Sequence, residues 1–352
     1  MPLPLSRRQF ALGSLAAGTS LLLGKSQAAP QPTRGMYPAV VPGTGIRIAR
    51  TGDDFEGEDW AYYPQHPKSS YNIDDRIREP GAISKNYLWV EGAKRGTPDY
   101  VRRVPLPPGG LEGSKHGMLV QSLNSGIPGR TSHDAQQDDL LHNVAGTVGR
   151  NIPVSWSPNC VCRIFVAPTS HWEQRDGATF GYRIGCLGYG NKSNNEEYWP
   201  GMFLHMERGL KDNKRTYLVR TWVRADGGGR DMPSLTFQPE SWITMGMSMT
   251  PDGACHFFAR EGIDDLTKED CVGSYWCYGY RAHSFQTFFY NVINQDDGRS
   301  VGTPWIIDDA FLYAATAPAN KVRMTGGTQP AAQTAAAPPQ PLPDQAIKPA
   351  AR

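Results

Sequence analysis

The residues from Trp242 to Glu261 read WITMGMSMTPDGACHFFARE. Their first eight side chains alternate, which is typical of a strand with one buried face. The Pro251-Asp252-Gly253 turn follows, in which proline presets one turn dihedral and glycine accepts a positive φ. An aromatic strand then returns, so the segment predicts a β-hairpin. The side chains that we expect in the core are Ile243, Met245, Met247 and Met249.

Short apolar or aromatic runs recur along the chain between turn residues, and no window shows a convincing helical period. This pattern predicts an all-β protein with a sandwich or barrel fold. The segment 126 to 148 is predicted to be a long loop, of the kind that often carries function. The other predicted strands are Asp53–Trp60, Asn86–Glu91, Gly117–Ser122, Cys162–Ala167, Gly181–Leu187, Gly201–Met206, Thr216–Arg224, Ala282–Ile293 and Trp305–Tyr313.

Carboxylates lie among strand-forming residues near both ends of this region, in Asp53-Asp54-Phe55-Glu56 and in Trp305–Tyr313. A carboxylate is costly to bury unless a cation or hydrogen bonds compensate its charge. We therefore predict that the first and last strands pair, with their acidic residues beside a cation or at the rim of the sandwich.

The amino terminus carries Ser6-Arg7-Arg8-Gln9-Phe10, a weakly apolar region and then Ser26-Gln27-Ala28. This pattern resembles a twin-arginine export signal. It predicts passage through the twin-arginine translocase, cleavage after Ala28 and a periplasmic or extracellular protein. No later stretch is apolar enough to cross a bilayer, so we expect no membrane insertion after the signal is removed.

Four parts follow from these patterns: the signal peptide 1–28, an extended lead-in 29–49, one domain 50–315 and a tail 316–352. The tail is rich in alanine and proline and is predicted to be disordered, because it cannot bury enough apolar surface. The formal charge is +2, and cleavage removes three positive charges, which leaves −1. A nearly neutral protein has no general attraction to nucleic acid.

An even number of cysteines in an exported protein permits disulfide bonds. Cys271 and Cys277 flank a short aromatic loop and are the first predicted pair. A bond between Cys160 and Cys162 would close a strained ring. The connectivity otherwise stays open among Cys160, Cys162, Cys186, Cys255, Cys271 and Cys277.

The tryptophan-led strand, the Pro-Asp-Gly turn and the aromatic return strand resemble the central hairpin of concanavalin A-like lectin and glucanase domains. Asp54-Phe55-Glu56 with Trp60, and Ile307-Asp308-Asp309, are similar to the opening and closing strands of jelly-roll carbohydrate-binding modules. The resemblance implies a jelly-roll, antiparallel β-sandwich with long loops over residues 50–315.

The same resemblance implies a structural calcium ion, which prefers oxygen ligands. Its ligands would be Asp54, Glu56 and Asp308, with Asp309 as an alternative. These carboxylates are otherwise ordinary rim residues that accept hydrogen bonds in turns. No organic cofactor is expected, because the sequence has neither a Walker nor a Rossmann glycine pattern.

Basic and aromatic side chains share one face on five of the predicted strands. If these strands lie in one sheet, sugar rings can stack on this face while guanidinium groups bind carboxylate or sulfate. Each residue is otherwise an ordinary polar residue of an exposed sheet. The predicted ligand-binding residues are Arg163, His205, Arg220, Trp222, Arg224, His256, Arg260, Arg281 and His283.

The leading hypothesis is an exported protein that binds a polysaccharide or oligosaccharide, in particular an acidic one. The alternative is a lyase that cleaves a uronate-containing polymer by β-elimination, which requires a base and a group that neutralises the carboxylate. A third hypothesis is a non-catalytic structural module of the cell envelope. The sequence lacks the Glu-x-Asp-x-x-Glu strand of the glucanases, which disfavours glycoside hydrolysis. The candidate lyase residues are His205, His283, Tyr182 and Arg163.

Overall fold

The computed structural model describes residues 35–74, 79–127, 129–190, 193–211, 214–224 and 229–317. The predicted signal peptide, the first part of the lead-in and the predicted tail from residue 318 onward lie outside the described residues. No helix within the described ranges is both long and apolar enough to span a membrane.

Strands dominate the described part of the chain. They are β1 (Ile46–Arg47), β2 (Tyr62–Tyr63), β3 (Ile83–Ser84), β4 (Trp89–Glu91), β5 (Tyr100–Pro105), β6 (His116–Gln121), β7 (Ala135–His142), β8 (Ile152–Pro153), β9 (Pro158–Val166), β10 (Gly177–Tyr189), β11 (Glu196–Tyr198), β12 (Gly201–Lys211), β13 (Lys214–Arg224), β14 (Asp231–Phe237), β15 (Trp242–Met249), β16 (Cys255–Glu261), β17 (Cys271–Tyr275), β18 (Arg281–Gln295) and β19 (Trp305–Ala314). Two short helices, α1 (Tyr71–Asp74) and α2 (Val144–Val148), and four 3₁₀ turns, Val154–Trp156, Thr169–His171, Lys268–Asp270 and Cys277–Gly279, connect them.

The strands form two antiparallel sheets that enclose one core. The first sheet has the order β17-β16-β15-β9-β19-β6-β5, with β1 beside β19. The second has the order β14-β13-β12-β10-β18-β7-β4-β3-β2, with β11 beside β10 and β8 beside β18. The predicted antiparallel β-sandwich is therefore confirmed.

The hairpin of β15 and β16 forms as predicted, with Met249 opposite Cys255 and a positive φ at Gly253. All four side chains predicted for its inner face are buried in the core. Opposite them, aromatic rings of the second sheet fill the interior. Tyr290 stacks on Trp89 at 5.5 Å and on Tyr182 at 5.4 Å between ring centroids. Tyr182 therefore belongs to the core, and this position does not favour its predicted catalytic role.

The two ends of the domain meet, because β1 pairs with β19 and Asp53 forms an isolated bridge to Ala310. The amide of Asp53 donates to the carbonyl oxygen of Ala310 at 2.9 Å, and the reverse bond measures 3.1 Å. Gly52 makes this approach sterically feasible, because a Cβ atom there would lie 2.4 Å from the Phe311 ring. Its amide also donates to Nε2 of His142 at 2.8 Å.

The predicted strand Asp53–Trp60 does not form. The chain instead curves around the Asp53 side chain, which accepts hydrogen bonds from the residues that follow it. Its Oδ2 accepts hydrogen bonds from Trp60 Nε1 at 2.8 Å, Asn86 Nδ2 at 2.8 Å and Trp89 Nε1 at 3.0 Å. Its Oδ1 accepts from the amide of Phe55 at 3.0 Å. The cost of burying this carboxylate is thus met by four donors.

The predicted loop 126–148 is wrong, since it contains β7 and α2. The sequence of β7 does not show the apolar alternation of a strand, because its inner face carries Asp138, which is fully buried. Asp138 accepts from Lys68 Nζ at 2.7 Å, Ser122 Oγ at 2.6 Å and the amide of Gly126 at 3.2 Å. A charge neutralised by a residue distant in sequence has no signature in the local pattern.

All six cysteines are free thiols in this structure, so the predicted Cys271–Cys277 disulfide is not formed. Cys271 packs beside Val161 and Phe258 on the outer side of the first sheet. Cys277 lies in the core between the sheets. Proximity in sequence is therefore misleading here, because the two side chains point to opposite sides of the first sheet.

Replacing Asp53 tests how strongly its four hydrogen bonds hold the ends together. Asp53→Asn exchanges one acceptor oxygen for a donor that faces other donors. We expect the free energy of unfolding to fall by about 2 to 4 kcal/mol in urea titrations. Asp54→Asn is the control, since the exposed Asp54 accepts from the Glu56 amide and should change stability by less than about 0.5 kcal/mol. Equal effects of both variants would contradict this account.

Two buried histidines should make stability depend on pH. Burial lowers the pKa of His142 to about 3 and that of His256 to about 4, from an ordinary value of 6.5. Below pH 6.5 the unfolded chain takes up protons on these rings that the folded protein does not bind. The contribution of each histidine is therefore full above about pH 6.5 and falls by about 1.4 kcal/mol per unit as the pH drops towards its folded pKa. The buried carboxyl groups of Asp138 and Asp308, whose pKa values are raised to about 7, contribute in the opposite direction. Urea titrations should show His142→Gln reducing this slope, whereas His171→Gln, on an exposed ring, should leave it unchanged.

Candidate functional site

The outer face of the second sheet carries two arginines in one row across neighbouring strands. Arg183 of β10 is opposite Gly201 of β12, which is opposite Arg224 of β13. Phe289 of β18 flanks Arg183 on its other side. The adjacent row crosses five strands and holds Trp222, Phe203, Gly181, Asn291 and Asp139.

Two glycines make room for the long side chains that lie across this face. A Cβ atom on Gly201 would come within 2.4 Å of Cγ of Arg183. On Gly181 it would come within 3.0 Å of Oδ1 of Asn291 and 3.1 Å of the Phe203 ring. Glycine at these positions thus allows the side chains of neighbouring strands to converge.

The Arg183 guanidinium is buried, with 7% of the residue exposed. Its Nε and Nη2 donate to the carbonyl oxygen of Trp199 at 3.2 and 2.6 Å, and its Nη1 donates to Oδ1 of Asn291 at 3.3 Å. The guanidinium carbon lies 5.3 Å from the centroid of Phe203 and 5.5 Å from that of Phe289. Within the described residues, no carboxylate forms an ion pair with it. Burial lowers the pKa of Arg183 to about 10, so the group is charged at neutral pH.

Asp139 sets the orientation of the Asn291 amide. Nδ2 of Asn291 donates to Oδ1 of Asp139 at 2.7 Å, which turns the amide oxygen towards Arg183. Burial raises the pKa of Asp139 above its ordinary value, and the positive charges of Arg95 and Arg183 partly oppose this shift. A chain of hydrogen bonds therefore runs from the carboxylate through the amide to the guanidinium.

Arg224 differs from Arg183 because it has a carboxylate of its own. Its Nε and Nη2 donate to the two oxygens of Asp231 at 2.7 and 2.8 Å. Burial lowers the pKa of Arg224, but hydrogen bonds to Asp231 and to the Tyr278 hydroxyl outweigh this effect and raise it. The guanidinium carbon lies 4.9 Å from the Phe203 centroid, so the two arginines flank one ring.

Tyr278 reaches this site from the 3₁₀ turn between β17 and β18, with a φ of 59°. A positive φ is uncommon and costly for an aromatic residue, and such strain is often found at functional positions. Its hydroxyl is close enough to Arg183 to raise the pKa of that guanidinium as well. We call the group formed by Arg183, Phe203, Arg224, Tyr278 and Asn291 the Arg183 cluster.

The expected single basic and aromatic surface does not exist, because the strands that carry it belong to different sheets. His205, Arg220, Trp222 and Arg224 lie together on the outer face of the second sheet. Arg281 and His283 lie at one end of that sheet, where β18 pairs with the end of β10. Arg163, His256 and Arg260 lie on the first sheet and face away from the core, on the opposite side of the molecule.

The residues of the first sheet make structural contacts. Arg163 Nη2 pairs with Asp265 at 2.6 Å, and its Nη1 lies 3.9 Å from Asp309. The His256 ring is held between Thr250 and Ser274, at 2.8 Å from each hydroxyl. These contacts do not support the predicted lyase role of Arg163.

On the second sheet, His205 stacks on Trp222 with 5.1 Å between ring centroids. Burial lowers the pKa of His205 to about 4, so the ring is neutral at neutral pH. Arg220 forms a two-pronged ion pair with Glu207, at 2.7 and 3.1 Å. The buried indole N–H of Trp222 has no hydrogen-bond partner among the described residues. His283 contacts the carbonyl oxygen of Asn194 at 3.0 Å.

The predicted calcium ligands do not converge. Glu56 is saturated by the amides of Lys115 and His116 and by the His116 ring, at 2.5 to 3.0 Å. Although burial raises the pKa of Glu56, these bonds outweigh it and lower the value to about 2. Oδ2 of Asp308 is buried without a partner, but no group of three potential ligand side chains forms anywhere in the described ranges. Calcium at Asp54, Glu56 and Asp308 stays a prediction that these contacts do not favour.

Four members of the Arg183 cluster were missed at the level of sequence. Arg183 had a usable signal, since Gly181 and Gly185 flank it on the same strand face and leave it room. Asn291 is a lone amide in an apolar strand, which is also a recognisable signal. Phe203 was assigned to the correct face but not to the ligand site. Tyr278 comes from a turn, and no periodicity points to it.

No family model matches this chain, and no curated protein matches it significantly. Among solved structures, family 7 alginate lyase A1-II′ in complex with substrate is similar at 10% identity and a TM-score of 0.36, over 74% of this chain and 94% of that one. A carbohydrate esterase from Shiga toxin-encoding bacteriophage phi24B reaches 11% and 0.36, over 75% and 99%. An alginate lyase from Pseudomonas aeruginosa reaches 14% and 0.32, over 66% and 93%. At these TM-scores the similarities assign neither a family nor a function to this chain.

If Arg183 is retained for a ligand, removing it should cost little stability. In Arg183→Met, the loss of three hydrogen bonds is offset by the removal of a buried charge that lacks a carboxylate partner. We expect the free energy of unfolding to stay within about 1 kcal/mol of wild type. Lys68→Met is the matched control, because it leaves the buried Asp138 unpaired and should cost about 3 to 5 kcal/mol. A loss of that size in Arg183→Met would assign the residue a structural role.

Proposed function

We propose that the protein binds a uronate-containing polysaccharide on the outer face of the second sheet and cleaves it by β-elimination at the Arg183 cluster. The observation that carries this proposal is Arg183 itself, a buried cation without an ion-pair partner among the described residues. A buried charge is costly unless it is paired. The carboxylate of a uronate residue supplies the missing charge.

The Arg183 guanidinium has N–H groups left to donate to such a ligand. The guanidinium has five N–H groups, and its contacts with Trp199 and Asn291 use three of them. The Asn291 amide has a second N–H beyond the one directed at Asp139. Together these donors neutralise the carboxylate, which makes the proton on the adjacent ring carbon more acidic.

Tyr278 is the residue that we assign to proton transfer. Its hydroxyl interacts with the Arg224 guanidinium, and a phenol oxygen can act as general base in an elimination. As the C–H bond at C5 breaks, its electrons form the double bond to C4 and the C4–O bond breaks. The Tyr278 oxygen takes up the proton from C5 and passes it to the departing oxygen, and the product is an unsaturated uronate.

Binding without cleavage is the second candidate, and the surroundings of Trp222 favour it. Its ring stacks on a neutral histidine, and its indole N–H is buried without a partner among the described residues. Sugar hydroxyl groups can accept from such a donor while the pyranose ring packs on the aromatic surface. No proton transfer is needed for this interaction.

The two candidates differ in product and in their response to single substitutions. With a panel of polyuronates, the wild-type protein should generate the ultraviolet absorbance of the unsaturated product. Tyr278→Phe should lower kcat by about 100-fold or more with little change in KM. Arg183→Met should weaken binding as well, measured as loss of retention on a column of the same polymer.

Tyr280→Phe is the matched control for Tyr278, because its ring packs against the same neighbour, Tyr198, and we assign it no role in proton transfer. This variant should retain wild-type activity. Retention on the column without product would replace the lyase by the binding function. Neither retention nor product with any polyuronate would contradict both functions.

A further inference from the structure

Three thiols meet in the core, away from the Arg183 cluster. Cys186 belongs to β10 of the second sheet, Cys255 to β16 of the first, and Cys277 to the turn after β17. All three are at most 1% exposed. Cys255 is opposite Tyr275, two residues before Cys277, and both cysteines belong to the same core cluster as Cys186. Burial raises the pKa of Cys277, and the thiols of Cys255 and Cys186 both contribute to this rise, as expected for neighbouring groups.

Strand register explains why Cys255 and Cys277 meet. Cys255 is opposite Tyr275 in the antiparallel pair of β16 and β17. The chain then leaves the sheet, and the 3₁₀ turn that begins at Cys277 directs this side chain into the core. The Cys277 thiol also lies 3.9 Å from the carbonyl oxygen of Tyr275. Cys271 faces the other side of the sheet, near Ser274.

We propose that oxidation joins Cys255 to Cys277 as a structural disulfide that fixes the turn carrying Tyr278. The oxidant is a disulfide, either a small molecule such as oxidised glutathione or a protein oxidoreductase. Each cysteine loses one hydrogen atom, one sulfur–sulfur bond forms, and the oxidant is reduced to two thiols. Cys186 remains reduced, with its thiol directed at the carbonyl oxygen of Tyr198 at 3.4 Å.

Access to the buried pair comes from the edge of the first sheet. β17 is the terminal strand of that sheet and pairs with β16 at four positions. Edge segments of this kind open locally at a lower cost than global unfolding. Burial raises the pKa of the Cys277 thiol well above its ordinary value, so the reaction requires such opening.

The test is peptide mapping of the folded full-length protein after incubation with oxidised glutathione and alkylation of the remaining thiols. We expect one peptide pair that contains Cys255 and Cys277, lost on reduction, and alkylated Cys271 and Cys186. A Cys271–Cys277 pair, a Cys186–Cys255 pair or six alkylated cysteines would each overturn the proposal. This readout requires no variant to fold.

Stability gives a second readout with a matched pair of variants. Oxidation should raise the melting temperature of the wild-type protein by about 5 °C or more, because it closes a loop of moderate length. Cys271→Ser should keep this rise, whereas Cys255→Ser should lose it. An equal rise in both variants would contradict the assignment of the bridge to Cys255.

Discussion

The buried carboxylate of Asp53 is the interaction on which the rest of this structure depends. Its backbone bridges to Ala310 in the first sheet, while its side chain binds the indole of Trp89 in the second. The donors that surround it come from segments up to 36 residues away, so the charge is compensated only when these segments are assembled. A carboxylate that needs four donors thereby sets how the two sheets meet at the start of the domain.

This constraint extends to the outer face of the second sheet through β18. Trp89, held by Asp53, stacks on Tyr290, which points into the core. Because side chains alternate along a strand, the next residue, Asn291, points outward to Arg183. The aromatic core therefore fixes the strand that carries the amide. A rigid element is a better support for a binding group than a loop.

Sequence patterns predicted the structure correctly where the partners of a residue are close to it in sequence. The hairpin Trp242–Glu261 combines strand alternation with turn chemistry, and both were recognisable. Strand β7 was not, because Asp138 faces the core beside a lysine that is 70 residues away in sequence. The site was harder still, since Arg163 and Arg183 both alternate with apolar core residues and the sheet assignment alone separates them. Tyr278 enters from a turn and has no periodic pattern.

Arg183 stands apart from the other buried cations of the described residues, Lys68 and Arg163, because it forms no ion pair with a carboxylate. Asp53 has four donors, Asp138 has Lys68, and Arg163 has a carboxylate at 2.6 Å. Arg183 has only neutral oxygen atoms within hydrogen-bonding distance, and two aromatic rings lie beside it. Asp53, Asp138 and Arg163 are thus compensated within the fold. Arg183 forms no ion pair among the described residues and is linked to Asp139 only through the Asn291 amide, while two glycines beside it make room for long side chains to converge. A carboxylate from a ligand would supply the ion pair that Arg183 lacks, which is why we propose this residue as the centre of the site.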